Sequence, residues 1–559
     1  MDTPRIETLT DVLRRPLRPE HTVGYLTGKD PVFTSYVDLE ARARRILGLL
    51  QARGIRPGEH VGLVTSSPQV FIESFWGCLL GGAIPLPVSA GASADHQRKL
   101  LRVLAMYDDR FLIIDDASWQ RAEEFGASEG QEERLSALSP RVLRSDEILA
   151  AADGEGPEGV EHNVQPDDFA YVQFSSGSTR APKGIQLTHR NLVANISAIR
   201  SAIQLMPDDR PIGWMPLTHD MGLIGGHLTG MIAGTHHTLI PTERFVRRPL
   251  TWLQEAVAQG STVTSGPNFA YQHVLRAYKP DRFEGLDLSR LRVIFNGAEP
   301  IAYDLVRRFL ETFAPHGLNP AAMFPVYGLA EASLAVSTPP LLSGLRRTSL
   351  DRTHLQLGDR VRPPEAPRDR LDLVPVGTPV DFLDVRIGDG TPLGRAPEGV
   401  VGPIWIRGDN VVTSLRTDDD ESDPRVDGWY DTGDLGFVLD GDLHICGRVK
   451  EMAIVNGQNV FPHDIEEIAS EVEGVIPGKL IAIGVRHPET DREVLALFVL
   501  WRKSREAFED VAQRLRQTVV NRTGVQVSIV LPVSAIPKTT SGKLQRLQLA
   551  RDFEQGKLQ

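Results

Sequence analysis

A loop rich in hydroxyl groups and glycine follows a predicted strand in the first third of the chain. Residues 171–174 are mostly aromatic or β-branched, which predicts a short buried strand. Residues 175–184 read Ser-Ser-Gly-Ser-Thr-Arg-Ala-Pro-Lys-Gly, and such a loop lets backbone N–H groups and hydroxyls converge on phosphate oxygens. A flexible surface turn is the alternative, but the Pro-Lys-Gly ending favours phosphate, although glycine after the lysine excludes the common P-loop. The candidate phosphate ligands are Ser176, Gly177, Ser178, Thr179 and Lys183.

Two further predicted strands end in polar residues. Residues 291–295 lead into Asn-Gly-Ala-Glu at 296–299, and a second strand begins near residue 324. Ligands in open α/β sheets bind beyond the carboxyl ends of the strands. Tyr327 could therefore lie against a flat base, and Glu331 could ligate Mg²⁺, which takes carboxylate and phosphate oxygens together. The alternatives are that Tyr327 belongs to the core and that Glu331 caps a helix.

Two further motifs contain an aspartate whose neighbours favour a ligand-binding site. His219 and Asp220 follow an apolar segment and precede a glycine, a placement typical of a pocket mouth, although a structural hydrogen bond is the alternative. Asp434 is predicted to lie in a tight turn flanked by glycine, where its carboxylate can accept two hydrogen bonds from the vicinal hydroxyls of a ribose. An ordinary Asx turn is the other interpretation of that motif.

Composition excludes several classes of protein. The 559 residues predict about three or four domains, and a formal charge of −12 argues against a nucleic-acid partner. Cys78 and Cys446 are the only cysteines, so no disulfide framework is available. The N-terminus lacks the features of a signal peptide, and no apolar run reaches the ~20 residues that a membrane span needs. We expect a cytoplasmic protein.

Alternating helical and strand-like segments predict an α/β layered fold with mainly parallel strands. Residues 119–165 are acidic and rich in Gly, Ser and Pro, so part of that stretch is expected to be a solvated connection. A strand pattern halts at Gly447, where we place a domain boundary. The remainder predicts a small domain that closes with a basic, glycine-containing segment at 536–546.

Five motifs in this order resemble the core motifs of the adenylate-forming superfamily, which includes acyl-CoA synthetases, luciferases and the adenylation domains of peptide synthetases. They occupy residues 176–184, 327–331, 430–434, 447–448 and 537–543. Within that superfamily the chain looks most like the fatty acyl-AMP ligases. The segments 216–224 and 455–466 resemble signatures of that group, and the polar stretch 344–372 lies where the group carries an insertion that helps to disfavour CoA as the acceptor.

The resemblance implies an architecture and a reaction. It implies a large N-terminal adenylation domain of several subdomains (layered α/β sheets and a small β-rich part) over 1–447, and a small mobile α+β C-terminal domain over 448–559. The reaction uses ATP and Mg²⁺ to convert a carboxylic acid into an acyl-adenylate and pyrophosphate. The acyl group then passes to the phosphopantetheine thiol of an acyl carrier protein, for which Lys538, Lys543, Arg546 and Arg551 would offer a locally basic tail.

The resemblance also assigns roles to individual residues. Lys543 is the expected catalytic lysine between the substrate carboxylate and the α-phosphate, Glu331 is the Mg²⁺ ligand, and Lys450 is the hinge. His219 is a further catalytic candidate. The residues expected around the adenine and ribose are Asn296, Gly297, Ala298, Glu299, Tyr327, Gly328, Asp434 and Arg448.

Two positions depart from the family pattern. Arg180 replaces a glycine of the phosphate loop, and Ala330 replaces the threonine common before the Mg²⁺-ligating glutamate. Neither change removes a group that the chemistry requires. Three alternatives remain at this point: an acyl-CoA ligase, an aryl- or amino-acid-activating domain, and a non-catalytic adenylate-binding protein.

Overall fold

The computed structural model describes most of the chain. The described residues are 6–15, 17–28, 30–107, 111–174, 182–391, 394–418, 420–455, 458–476, 478–488, 492–538 and 544–558. The candidate phosphate ligands Ser176, Gly177, Ser178 and Thr179 and the candidate catalytic Lys543 lie outside them. None of the described helices is long and apolar enough to cross a membrane.

The helices begin where the sequence offers caps. Ser35 caps one helix by accepting a hydrogen bond from the main-chain N–H of Asp38, and Thr188 caps another through Asn191. The α-helices are α1 (Asp11–Arg14), α2 (Tyr36–Ala52), α3 (Pro68–Leu80), α4 (Ala94–Met106), α5 (Asp116–Ser128), α6 (Glu132–Leu138), α7 (Ser145–Asp153), α8 (His189–Ile203), α9 (Thr229–Ala233), α10 (Thr242–Arg247), α11 (Thr251–Ala258), α12 (Asn268–Ala277), α13 (Tyr303–Phe313), α14 (Pro462–Ala469), α15 (Arg505–Thr523) and α16 (Arg546–Glu554).

The strands are short in the N-terminal region and longer toward the C-terminus. They are β1 (Thr22–Tyr25), β2 (Val32–Ser35), β3 (His60–Val64), β4 (Ile84–Pro87), β5 (Phe111–Ile114), β6 (Val142–Arg144), β7 (Phe169–Phe174), β8 (Gly184–Thr188), β9 (Pro211–Gly213), β10 (His237–Leu239), β11 (Val263–Ser265), β12 (Val293–Asn296), β13 (Met323–Pro325), β14 (Tyr327–Gly328), β15 (Ala335–Thr338), β16 (Thr348–Asp351), β17 (Arg370–Leu373), β18 (Thr378–Pro379), β19 (Leu383–Ile387), β20 (Gly402–Gly408), β21 (Ser414–Arg416), β22 (Glu421–Ser422), β23 (Tyr430–Leu439), β24 (Asp442–Arg448), β25 (Ala453–Val455), β26 (Gln458–Val460), β27 (Leu480–Arg486), β28 (Glu493–Leu500) and β29 (Val527–Val533).

Two largely parallel sheets form the N-terminal layers. One has the order β13-β12-β11-β9-β10-β1-β2, parallel except at β2, and the other has the order β4-β3-β5-β6 and is parallel throughout. The helices α2, α3 and α8 and a π-helix, Met221–Leu228, share one apolar core with residues of both sheets. Parallel strands put their carboxyl ends at one edge of the sheet, and that edge carries the site described below.

Most of the stretch 119–165 is helical, and the part predicted to be a solvated connection corresponds to its mostly exposed end, from residue 154 onward. Helices α5, α6 and α7 cover most of it, and only the residues from 154 onward run without regular structure. Buried side chains such as Trp119 and Ile148 anchor these helices to the sheet layer. Acidic residues such as Glu123 and Glu133 lie on the exposed faces of these short helices, and Glu155 and Glu158 lie in the exposed end of the stretch.

The predicted turn around Asp434 is wrong, because Asp434 lies inside strand β23. That strand pairs with β20 and β24, and its register is irregular on both sides. Gly433 has φ +71°, a left-handed value that glycine adopts readily. The glycine that suggested a turn therefore marks a local irregularity within the strand. The register places Asp434 opposite Arg448 on β24, which continues one residue past Gly447.

The C-terminal region has its own sheet and core. Strand β28 pairs antiparallel with β27 and parallel with β29, and α14 and α15 pack on that sheet over an apolar cluster. The division into 1–447 and 448–559 remains a prediction.

The polar stretch 344–372 is a structured bridge. Its strands β16 and β17 pair antiparallel, and their residues Leu350 and Leu371 share an apolar cluster with Phe437 of β23 and with Phe461 beside α14. Arg352, just after β16, forms an ion pair with the Asp464 carboxylate on α14. The segment thus joins the β-rich part of the N-terminal region to the C-terminal region.

Substitution of Asp464 by asparagine is expected to change how stability depends on pH. Burial raises the pKa of Asp464 to about 6, against the opposing charge of Arg352. Because this folded-state pKa lies above the unfolded value, the stability it contributes is complete below about pH 4 and is lost as the pH rises through 6. Asparagine stays neutral, so from pH 4 to 7 the variant should gain up to about 3 kcal/mol relative to the wild type, at about 1.4 kcal/mol per pKa unit. Denaturant unfolding at several pH values measures this, and parallel stability curves would contradict it.

Candidate active site

A cavity of about 770 Å³ lies at the carboxyl ends of the parallel strands β9, β11, β12 and β13. This volume is in the upper part of the ~300–1,000 Å³ range of small-molecule sites. The C-terminal region closes it from the other side through α14 and the residues around 538 and 544–546. The sequence-predicted residues that line it are Lys183, His219, Ala298, Glu299, Tyr327, Gly328, Glu331, Asp434, Arg448 and Lys450.

Asp434 is the centre of a hydrogen-bonded cluster on this cavity. The Tyr327 hydroxyl donates to Asp434 Oδ2 at 2.6 Å, and Arg448 Nε donates to Oδ1 at 3.1 Å. Burial raises the pKa of the Asp434 carboxyl above its usual range, and the positive charge of Arg448 opposes that shift. Two donors therefore hold the carboxylate in one orientation, with its remaining lone pairs available to hydroxyl groups of a ligand.

Tyr327 reaches this position because strand β14 lies very close to the backbone at Leu334. A Cβ atom on Gly328 would lie 1.9 Å from the carbonyl oxygen of Leu334, so only glycine fits there. Tyr327 is 9% exposed, and its hydroxyl is tied to Asp434, which leaves the ring at the cavity wall.

The turn at 296–299 presents only its second half to the cavity. Ala298 and Glu299 line it, and Ala298 has φ +73°, a strained value for a residue with a Cβ atom. Asn296 is fully buried, and its Nδ2 donates to Asn268 Oδ1 at 3.4 Å. A Cβ on Gly297 would lie 2.9 Å from Val326 Cγ2, so Gly297 allows β12 and the segment after β13 to meet.

Glu331 meets the requirements for a Mg²⁺ ligand. It lies in a short 3₁₀ turn, Ala330–Ala332, lines the cavity and accepts a hydrogen bond from the Tyr430 hydroxyl. Burial and the Glu331 charge both raise the pKa of Tyr430, so that hydroxyl stays protonated and orients the carboxylate. The described residues contain no group of three or more His, Cys, Asp or Glu side chains that could hold a metal. A single carboxylate suffices where Mg²⁺ is shared with substrate phosphates.

His219 is held at the start of the π-helix. Its Nδ1 lies 2.6 Å from Asp220 Oδ1, and Gln173 on β7 donates to the carbonyl of Thr218 at 3.0 Å. A Cβ on Gly222 would lie 2.2 Å from the Pro216 carbonyl oxygen, which explains the glycine. π-Helical segments are frequent at functional sites, and His219, two residues before this one, lines the cavity.

The structure adds residues that sequence reasoning missed and corrects one interpretation of charge. Tyr430 was present in the 430–434 motif but received no role, since its contact with Glu331 joins elements about 100 residues apart.

Arg546 is not part of a free basic tail, because it is buried between Glu466 at 2.6 Å and Glu451 at 3.0 Å. Of four large side chains in the N-terminal region, Phe269 and Phe295 line the cavity, whereas Trp214 stacks on Phe245 and Met231 lies in the core.

Comparisons with known proteins agree with this site. Residues 15–414 match the family model described as AMP-binding enzyme. A Caulobacter vibrioides protein provisionally named as an acyl-CoA synthetase is 34% identical, over 90% of this chain and 86% of its own length. A medium-chain-fatty-acid–[acyl-carrier-protein] ligase of Moorena producens is 30% identical, over 100% of this chain and 97% of its own. A solved structure, from work on fatty acyl-adenylate ligases of E. coli and L. pneumophila, has a TM-score of 0.88 at 29% identity and covers 100% of this chain and 99% of that one.

These matches, together with the hydrogen-bonded cluster at Asp434, define the class of protein. The chain belongs to the AMP-binding enzyme family, within the adenylate-forming superfamily. The comparisons confirm the family that the five motifs predicted. They also confirm the α/β adenylation fold and the ATP-dependent, AMP-forming ligation of an acid.

Proposed function

We propose that this enzyme activates a fatty acid with ATP and transfers the acyl group to the phosphopantetheine thiol of an acyl carrier protein. The observation that carries the proposal is one cavity lined both by the Asp434 cluster and Glu331 and by a set of apolar side chains. The first group of residues suits a nucleotide, and the second suits a hydrocarbon chain.

The apolar part of the cavity lies among the parallel strands. Gly213 at the end of β9 has no atom within 4 Å of the place where a Cβ would stand, so the cavity keeps its width there. Gly225 and Gly226 on the π-helix also line it without side chains. The apolar residues around this part are Ile212, Met215, Met221, Leu239, Val263, Phe295 and Leu334. A linear aliphatic chain buries its surface well in such a pocket.

The nucleotide would lie at the strand ends. Asp434 and Arg448 would hold the ribose hydroxyls, and Tyr327, Ala298 and Glu299 would surround the adenine. A substrate carboxylate oxygen then attacks the α-phosphorus. One P–O bond forms, the bond to the bridging oxygen breaks, and pyrophosphate leaves with that electron pair. The protein contributes positioning and neutralisation of charge, with Lys543 expected at the bond that forms. Mg²⁺, when bound at Glu331, would neutralise phosphate charge.

Substitution of Glu331 by glutamine is expected to weaken Mg²⁺ binding. Glutamine keeps the shape and the Tyr430 contact but removes the charge that attracts a hard cation. The Mg²⁺ concentration for half-maximal ATP–pyrophosphate exchange should rise about tenfold or more, the range seen for lesser changes around metal ligands. Titration of MgCl₂ measures this value.

The matched control is Glu311→Gln, which changes an exposed glutamate paired with Arg307 on α13. That variant should keep the wild-type Mg²⁺ dependence. A Glu331 variant with the same dependence as the wild type would remove Glu331 from the metal site.

The acceptor is proposed from the bridge at 344–372. That segment packs on β23 and on Phe461, and its Arg352 forms an ion pair with Asp464. The C-terminal region is therefore in contact with a structured part of the N-terminal region. We infer that this contact limits the arrangements available to the C-terminal region around the hinge at Lys450, and thereby favours a carrier-protein arm over free CoA. A relative that acts on an acyl carrier protein supports this choice.

The acceptor experiment compares holo acyl carrier protein with CoA. Purified enzyme, ATP and a fatty acid are incubated with each acceptor, and thioester formation is followed by mass spectrometry. We expect acylated carrier protein and little acyl-CoA. Rapid formation of acyl-CoA with no acylated carrier protein would make the enzyme an acyl-CoA ligase, which is the name carried by its Caulobacter relative.

A further inference from the structure

A lysine that the nucleotide motifs do not include stands beside the end of strand β7. Lys99 is on α4, and its Nζ lies 5.9 Å from the centroid of the Phe174 ring. Phe174 is the last residue of β7 and pairs with Gly184, the first residue of β8. The ammonium group therefore lies where the chain leaves β7, and Lys183 lies at the point where it re-enters the sheet. Both lysines line the cavity.

Helix α4 is held firmly against this strand end. Leu100, Val103 and Leu104 of α4 belong to the same apolar cluster as Phe174. Tyr107, just after α4, meets Phe174 edge to face at 6.0 Å between ring centroids. A Cβ on Gly184 would lie 2.3 Å from the Tyr107 hydroxyl oxygen, so the end of the helix and the start of β8 are in close contact. These contacts fix the backbone from which Lys99 reaches the cavity.

The ammonium of Lys99 has no ion-pair partner among the residues that the structure describes. Among the described residues its ammonium makes a cation–π contact with Phe174 and no salt bridge or hydrogen bond. Burial lowers the pKa of Lys99 to about 8, so the group is still mostly charged at neutral pH. A partly desolvated cation is costly unless an opposite charge accompanies it. The open cavity beside it is the place where a ligand can supply that charge.

We propose that Lys99 binds the pyrophosphate portion of ATP and the departing pyrophosphate. This inference rests on the proposed function and adds a binding residue from outside the family motifs to the same site. Negative charge builds on the leaving pyrophosphate as the bond from the α-phosphorus to the bridging oxygen breaks. The ammonium of Lys99 faces that charge and transfers no proton. Lys99 and Lys183 would thus hold the leaving group from two sides of the strand end.

The test uses full-length enzyme and measures each half-reaction separately. Lys99→Met removes the charge and keeps much of the aliphatic stem, Lys99→Arg keeps the charge, and Lys557→Met is the control at an exposed lysine. In ATP–pyrophosphate exchange, Lys99→Met should raise the KM for pyrophosphate about 10- to 100-fold, the range expected for loss of a charge-assisted hydrogen bond. Lys99→Arg should stay within about threefold of the wild type, and Lys557→Met should be unchanged.

The second half-reaction distinguishes binding from a general structural role. It starts from purified acyl-adenylate and involves no pyrophosphate, so Lys99→Met should transfer the acyl group to its acceptor at the wild-type rate. An unchanged KM for pyrophosphate, or an equal loss in both half-reactions, would overturn the assignment. If Lys99→Met folds poorly, Lys99→Gln is measured in the same way. A wild-type enzyme that shows no exchange with any fatty acid would instead refute the proposed function, and this inference with it.

Discussion

Replacement of Lys543 by alanine is expected to slow formation of the acyl-adenylate about 10²–10³-fold, the loss seen when a single transition-state donor is removed. The resemblance implies that this ammonium lies between the substrate carboxylate and the α-phosphate, where charge develops. Lys538 and Leu544, the described residues on either side of it in sequence, line the cavity. Single-turnover measurement of acyl-adenylate formation gives the rate.

The same variant should carry out the second half-reaction almost normally. Thiol attack on a preformed acyl-adenylate does not need the bridge between carboxylate and α-phosphate. Lys557→Ala, at a half-exposed lysine near the C-terminus, is the control and should leave both half-reactions unchanged. An alanine variant at 543 that forms the adenylate at the wild-type rate would remove this lysine from the chemistry.

Substitution of Asp434 by asparagine is expected to lower kcat/KM for ATP about 10²-fold. Tyr327 and Arg448 both donate to this carboxylate, and an amide has only one oxygen to accept with. Its NH₂ group would face one of the two donors, and the negative charge that favours Arg448 and the ribose hydroxyls would be lost. Each hydrogen bond to a charged group contributes about 1.5–3 kcal/mol, which corresponds to at least tenfold in binding.

Asp431 offers a matched control for Asp434. It lies three residues earlier on β23, is exposed, and accepts a hydrogen bond from the main-chain N–H of Gly433. Asp431→Asn should leave kcat/KM for ATP within about threefold of the wild type. Steady-state kinetics at varied ATP concentration compare the two variants. If Asp434→Asn and Asp431→Asn behave alike, the cluster at Asp434 does not bind the nucleotide.

The sequence predicted the parallel strands well because their apolar runs end sharply at polar residues. The strand predicted at 291–295 is β12 (Val293–Asn296), and the strand predicted to begin near residue 324 is β13 (Met323–Pro325). That Glu331, Tyr327 and Asp434 share one site was implied by the resemblance to the adenylate-forming superfamily, and all three line the cavity. The strand ends themselves were predicted from the sequence. These features are local, and a local pattern is what a single sequence displays.

The errors arose where long-range contacts decide the structure. Asp434 looked like a turn residue because of Gly433, yet pairing with Arg448 and β20 keeps that stretch in a strand. The sequence showed 344–372 only as a polar stretch where the related group carries an insertion, whereas in the structure Leu350 and Leu371 share a core with Val401, Leu435, Phe437 and Phe461. Lys99 carries no motif, and only the packing of α4 on β7 brings it to the site.

The measurement that tests the central claim most directly is ATP–pyrophosphate exchange over a panel of fatty, hydroxy, aryl and amino acids, with mass spectrometry of the products. The account predicts exchange that depends on a fatty acid, and a fatty acyl-adenylate in the reaction mixture before any thiol is added. Exchange with aryl or amino acids alone would contradict the proposed substrate class. No exchange with any acid would contradict adenylation by this chain.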